Sequence, residues 1–224
     1  MISRSDLLWW LGALHTDCYI WEKDNDIKEL RLRVGKQSYE MLVKWKSVLE
    51  KMTGKSHIIK KSTYLDKRSK KSNSYFEVRI SSSILLKKVL QVLPTKSFKF
   101  DSNFVEWIKT MSLGPYLAGI IDGDGCIQIR KRYFDSGYER LIKIADCTSK
   151  KLLILQQLFL KESLPKGYIT EYKNHSDLWI YINKRLDKWL KDNVAPHISI
   201  SHKLQKIAQM PRWRISGKPG DRLM

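Results

Sequence analysis

Two aspartates, each closing a helix-like apolar stretch, are the residues of this sequence best placed to do chemistry. Asp124 ends Tyr116-Leu117-Ala118-Gly119-Ile120-Ile121-Asp122-Gly123-Asp124-Gly125, which starts as an apolar helix and finishes as two acids among glycines. Gly114-Pro115 suits a helix start, because proline's missing N–H costs nothing in the first turn. Ala118-Gly119 leaves a groove where a second backbone can approach. The Asp-Gly-Asp-Gly end stops the helix, and Gly125 is expected to supply the left-handed cap. A helix C-terminus already carries partial negative charge, so an acid there is unfavourable by itself. A cation held against Asp124 resolves that conflict.

The elements that must position Asp124 occur twice. Gly12-Ala13-Leu14-His15-Thr16-Asp17-Cys18-Tyr19-Ile20 lies opposite Gly119-Ile120-Ile121-Asp122-Gly123-Asp124-Gly125-Cys126-Ile127, an offset close to half of the 224-residue chain. Only Gly12, Asp17 and Ile20 match outright, yet the small-residue surface and the terminal acid both survive. Around each copy the pattern reads helix, strand, strand, helix, strand, strand, helix. In the first half these are a helix over residues 7–14 capped by Ser5 or Asp6, strands at 19–23 and 30–34, and a helix from Ser38 with Met41, Leu42, Trp45, Val48 and Leu49 inward. Strands at 57–64 and 74–80 and a helix at 84–93 follow. The second half gives the 114–125 helix, strands at 126–133 and 139–145, and a helix from Ser149 with Leu152, Leu153, Phe159 and Leu160 inward, Leu153 matching Leu42. Strands at 167–172 and 178–183 and helices at 185–194 and 203–210 complete it. The expected fold is α+β, with two pseudo-symmetric αββαββα halves at 1–93 and 114–210. A linker at 94–113 carries a short helix over 103–111, and a basic tail occupies 211–224.

If the helices ending at Asp17 and Asp124 pack side by side through Gly12 and Gly119, two carboxylates meet on the pseudo-twofold axis. Such acids repel and are poorly desolvated. A hard cation such as Mg²⁺ (or Mn²⁺) takes one or two carboxylates and completes its shell with water and phosphate oxygens. A cluster of this kind can activate water and stabilise a phosphodiester leaving group.

The run Leu117-Ala118-Gly119-Ile120-Ile121-Asp122-Gly123-Asp124-Gly125, followed by a strand, resembles the nine-residue motif of the LAGLIDADG homing endonucleases. The resemblance implies that the halves pack through the two motif helices, and that Asp17 and Asp124 bind the metals. It implies further that both strands of a long double-stranded DNA site are cut across the minor groove, by a monomer. The family places basic or polar residues at the end of the second strand of each half. Those places fall at Lys36-Gln37 and at Asp146-Cys147-Thr148, so Lys36 and Gln37 are candidate catalytic residues. The second half has no lysine there, although Lys143 and Lys150 are near, which leaves nicking open.

Composition agrees with a polyanionic partner. Lysine and arginine total 42 against 23 acids, a formal net charge of +19. Strand alternation turns Leu30, Leu32, Val34, Phe76, Val78, Ile80, Ile127, Ile129, Ile142, Ile144, Ile180 and Ile182 inward. Lys23, Arg31, Arg33, Arg79, Gln128, Arg130, Arg132, Lys143, Tyr181 and Asn183 are left as the DNA-contacting candidates, on two antiparallel sheets that form a saddle. Few acids are expected on that face. No apolar run is long enough for a membrane span, and the first residues make a poor signal peptide. Cys18, Cys126 and Cys147 form no paired pattern, which suits free thiols in a reducing, intracellular compartment. The alternatives are an RNA-binding intron maturase, with intron RNA as partner, and a DNA-binding protein with weakened or nicking-only cleavage.

Overall fold

A computed structural model describes residues 2–24, 26–65, 72–131 and 138–209. Arg132, with residues 66–71 and 133–137, and the tail at 211–224 therefore lie outside the described residues. The first half comprises α1 (Arg4–Asp17), β1 (Cys18–Lys23), β2 (Asp26–Gly35), α2 (Tyr39–Thr53), β3 (Lys60–Leu65), β4 (Ser72–Ile80) and α3 (Ser83–Val92). A 3₁₀ turn at Lys36–Ser38 precedes α2. After α4 (Ser102–Ile108) the second half repeats the order with α5 (Leu113–Asp122), β5 (Gly125–Lys131), β6 (Tyr138–Asp146), α6 (Ser149–Lys161), β7 (Tyr168–Glu171), β8 (Ser176–Tyr181) and α7 (Lys184–Asn193). A short turn at Ala195–His197 and α8 (Ser201–Ala208) follow.

Each half builds one four-stranded antiparallel sheet, in the orders β1-β2-β4-β3 and β5-β6-β8-β7. The two orders are superposable, as the sequence repeat requires. The repeat also extends further than αββαββα. α4 follows α3 as α8 follows α7, so the segment read as a linker holds the first-half counterpart of α8.

α5 and the Leu8–Leu14 stretch of α1 are apolar all round, so both belong in the interior. Every residue of α5 is buried, and α1 is buried from Leu8 to Leu14. The two helices cross in backbone contact. A Cβ at Gly12 would collide with the Tyr116 carbonyl oxygen, and one at Gly119 with that of Trp9. One continuous core surrounds this crossing and draws Trp9, Trp10, Trp45, Tyr116, Leu117, Phe159 and Leu178 from both halves.

Several local expectations change. The α1 N-cap is Ser3, whose hydroxyl accepts from the Asp6 amide at 3.0 Å, in place of Ser5 or Asp6. α5 stops at Asp122, and the positive-φ glycines among the described residues are Gly54 and Gly167. Gly125 is thus the first residue of β5 and no left-handed cap. It is small because a Cβ there would run into the Ile121 Cα of the helix just ended. On α6, Leu153 and Leu160 are each 50% exposed, and Leu152, Leu155, Leu158 and Phe159 form the buried stripe. Leu152 accordingly matches buried Leu42, one residue off the position read from sequence.

Gly119→Ala should destabilise the protein by about 3 kcal/mol, because the added methyl meets backbone that cannot give way. Gly35→Ala, which meets nothing within 4 Å, is the control and should stay within about 0.5 kcal/mol. Urea unfolding of the two variants beside the parent measures both.

Candidate functional site

The glycine crossing carries α1 and α5 in register, so both end at the same place. Asp17 is the last residue of α1, and Asp124 lies two residues beyond α5, next to Gly123. The Asp17 carboxylate packs against Gly123, where a Cβ would lie 3.3 Å from its Oδ2. Burial raises the Asp17 pKa to about 6, and the nearby Asp124 carboxylate adds to the shift. Asp124 is raised too, first by burial, although the Lys151 and Lys203 ammonium groups oppose it. The two side chains are within hydrogen-bonding reach of one another. Without a cation, burial and mutual repulsion thus hold both carboxyls toward their protonated forms.

Asp122, the other acid of the motif, has a structural task. Its Oδ2 accepts from Trp9 Nε1 at 2.8 Å, the Ser199 amide at 2.8 Å and the Ser199 hydroxyl at 2.6 Å. Its Oδ1 accepts from the Ile200 amide at 3.2 Å. Asp122 thereby fastens the segment before α8 across the helix pair. His15 holds the matching position in the first half and fastens the segment before α4. Its Nδ1 pairs with the Tyr116 hydroxyl at 3.0 Å, and its ring meets Phe100 and Phe104 edge-on. Burial lowers its pKa to about 3, so it is neutral.

Two lysines that the sequence pattern did not single out stand at the acid pair. Lys203, on α8, donates to the carbonyls of Ile121, Asp122 and Gly123 at 2.6, 2.7 and 3.0 Å. It satisfies the C-terminal carbonyls of α5 and places a cation beside Asp17 and Asp124. Burial lowers its pKa, and Asp122 and Asp17 oppose that shift. Lys151, in the first turn of α6, donates to the His15 carbonyl and pairs with Asp146 at 2.7 Å. Asp146 is half-buried, yet this pairing holds its pKa below the usual carboxylate value. By the α4–α8 correspondence, the first-half counterpart of Lys203 is Phe104. Lys203 and Lys151 both act on each of the two acids.

Lys36 and Gln37 are exposed in the turn before α2, and neither bonds to Asp17 or Asp124. Among the described residues no group of three or more His, Cys, Asp or Glu side chains closes a cage. With the neighbouring carbonyls taken by Lys203 and Lys151, the oxygen donors at the helix ends are thus the two carboxylates. That is an oxygen set suited to a hard divalent cation completed by water and phosphate. The mutually repelling pair, with Asp17 half-buried and Asp124 open to solvent, fits such an ion with its water shell.

The sheet faces opposite the core carry Arg31, Arg33 and Arg79 in the first half, and Gln128, Arg130, Lys143 and Tyr181 in the second. Lys23 is exposed at the end of β1. Acids are not scarce there, contrary to the expectation from strand alternation. Glu29 pairs with Arg31 at 3.5 Å and Arg79 at 2.5 Å, Glu77 with Arg33 at 2.9 Å, and Asp177 with Lys143 at 2.8 Å. Arg130 donates to Gln128 and lies over the Trp179 ring. Asn183 lies past β8, where its side chain accepts from the Leu186 amide as the N-cap of α7. It caps a helix and does not extend the sheet face. Ile129 is 40% exposed, because β5 runs beyond the core at that end.

No protein-family model and no curated protein sequence matches the chain. Its structure is similar to that of the homing endonuclease I-WcaI bound to its DNA recognition sequence. The TM-score is 0.63 at 13% identity, over 91% of this chain and 87% of that one. It is also similar to full-length DUF199/WhiA from Thermatoga maritima, with a TM-score of 0.53 at 15% identity over 93% of this chain and 60% of the other. The chain has the two-half LAGLIDADG fold.

Two outcomes test the site. The raised pKa of Asp17 means that its contribution to stability is full below about pH 4 and is lost as pH rises through 6. Without divalent cations, Asp17→Asn should therefore be more stable than the parent at pH 8, by on the order of 2 kcal/mol. Thermal unfolding from pH 4 to 8 should show the difference vanish at the acid end. Asp122→Ala should lose about 3 kcal/mol, because it orphans buried donors on Trp9 and Ile200.

Proposed function

We propose that this chain is a site-specific DNA endonuclease that hydrolyses phosphodiester bonds with divalent metal ions bound at Asp17 and Asp124. The observation that carries the reading is the meeting of two carboxylates, half-buried Asp17 and the more exposed Asp124, at the ends of crossed helices, with pKa values pushed upward. Such a pair is costly as a purely structural feature. The flanking sheets support a long duplex site, since a β-ribbon fits the major groove, and the net charge of +19 supports a polyanion. I-WcaI, which shares the fold, is a homing endonuclease bound to DNA.

In this reading Asp17 and Asp124 supply the anionic oxygens that hold Mg²⁺ or Mn²⁺. The bound ions lower the pKa of water and offset charge on the leaving oxygen. Lys203 stays near the acids as a fixed cation, held by the α5 carbonyls, and helps keep both carboxylates ionised. Lys151 does the same from the His15 carbonyl. Both centres belong to one chain, so a monomer suffices. The unequal surroundings, with Lys203 holding three carbonyls at the end of α5 and Lys151 one at the end of α1, favour cleavage of the two strands at different rates. The RNA-binding alternative needs neither acid.

The test is cleavage of a randomised double-stranded DNA library with Mg²⁺ and with EDTA. Double-strand cuts at one enriched sequence should appear only with Mg²⁺. They should fall at least a hundredfold in Asp17→Asn and in Asp124→Asn. Specific binding without any cutting would remove the nuclease reading. Lys203→Met should slow one strand more than the other, so that nicked product accumulates on a supercoiled plasmid carrying the site.

A further inference from the structure

Arg31 and Arg79 are directly opposed across β2 and β4. Like charges so placed destabilise a sheet, yet here a glutamate with a 7% exposed side chain joins them. Glu29 Oε1 faces Arg31 Nε at 3.5 Å, and its Oε2 takes Arg79 at 2.5 Å. The Arg31 guanidinium is also laid over the Tyr19 ring at 4.8 Å. Its two terminal amino groups make no hydrogen bond among the described residues. The neighbouring Arg33 is fixed in a similar way, by Glu77 and by the Tyr75 ring at 4.2 Å. A phosphate contact needs only a mobile point charge, which lysine supplies. Fixing a planar fork by one edge leaves further donors aimed outward in a set direction, which suits bidentate contact with guanine O6 and N7.

We propose that Arg31 and Arg79 read guanines on two neighbouring G·C pairs of the half-site under the first sheet, with Glu29 as the positioning residue that holds both forks. The proposal rests on the DNA-binding reading above and names part of the site that reading leaves unspecified. Opposed residues of an antiparallel pair stand about 5 Å apart, so two such forks can address adjacent base pairs. Glu29 also works against unspecific attraction, because its charge cancels part of the pull of Arg31 and Arg79 on any phosphate.

The experiment selects bound duplexes from a randomised DNA library in EDTA, using the full chain and the variants Arg31→Lys, Arg79→Lys and Glu29→Gln. Affinities for the selected site and its single-base variants follow at several salt concentrations. Two adjacent G·C pairs should be enriched in one half-site. Each lysine variant should relax one of them about tenfold. Glu29→Gln should relax both while binding unrelated DNA more tightly. If the lysine variants keep the specificity profile, the arginines contact phosphate and the proposal fails. It fails equally if the half-site carries no G·C pair at those positions. If Glu29→Gln weakens all sequences alike and lowers the melting temperature, its role is structural and the positioning assignment falls. The exposed lysine variants still decide the guanine contacts if Glu29→Gln does not fold. If no duplex sequence is enriched at all, the DNA-binding reading itself fails, and this inference with it.

Discussion

The backbone contact of α1 with α5 through Gly12 and Gly119 is the constraint from which the rest follows. Two helices this close have no room for side chains at the crossing, so their axes and relative rotation are fixed. The fixed crossing brings both helix C-termini to one point and makes the two sheets flank it as a pair. The apolar surfaces of both helices then lie inside one core shared by the halves. The halves cannot slide past one another without opening that core.

The same geometry creates an electrostatic problem. Two helix ends of the same polarity and two carboxylates converge where water is partly excluded. The protein relieves it unevenly. Lys203 neutralises the carbonyls at the end of α5, whereas the end of α1 is closed by Thr16, which bonds back to Gly12 and Ala13, and by Lys151. Asp122 and neutral His15 occupy equivalent positions and anchor equivalent crossing segments, one by hydrogen bonds and the other by aromatic packing. A duplicated scaffold has thus kept its geometry while its two copies changed their chemistry. The terminal aspartates were retained on both sides.

A formal charge of +19 does not translate into a uniformly positive working surface. Three of the outward arginines and Lys143 are tied to glutamate or aspartate neighbours on the same sheets. Pairing of exposed groups adds little stability. Its consequence is orientation, because an arginine held by a carboxylate and an aromatic ring samples few rotamers. Such a face gives up some nonspecific attraction to phosphate and gains direction.

The sequence by itself determined the duplication, the order of elements, the two terminal acids and the small residues at the helix crossing. All of these are local patterns of period and residue type. Helix and strand periodicity also placed Leu30, Leu32, Val34, Met41, Leu42 and Trp45 correctly in the core. The ends of elements were less legible. Ser3 caps α1 and Gly125 opens β5, because hydrogen bonding and collision with Ile121 decide there, and neither leaves a mark in composition. Only the tertiary structure decided which charges surround the acids. Lys203 reaches them from residues far along the chain, and Lys151 across from the other half, whereas Lys36 and Gln37 make no hydrogen bond to either acid. The pairing of Glu29 with two arginines also depends on strand register, which sets opposite partners. The division is physical: periodicity reports what a residue's own element needs, whereas a site made of side chains from four elements exists only after those elements have packed.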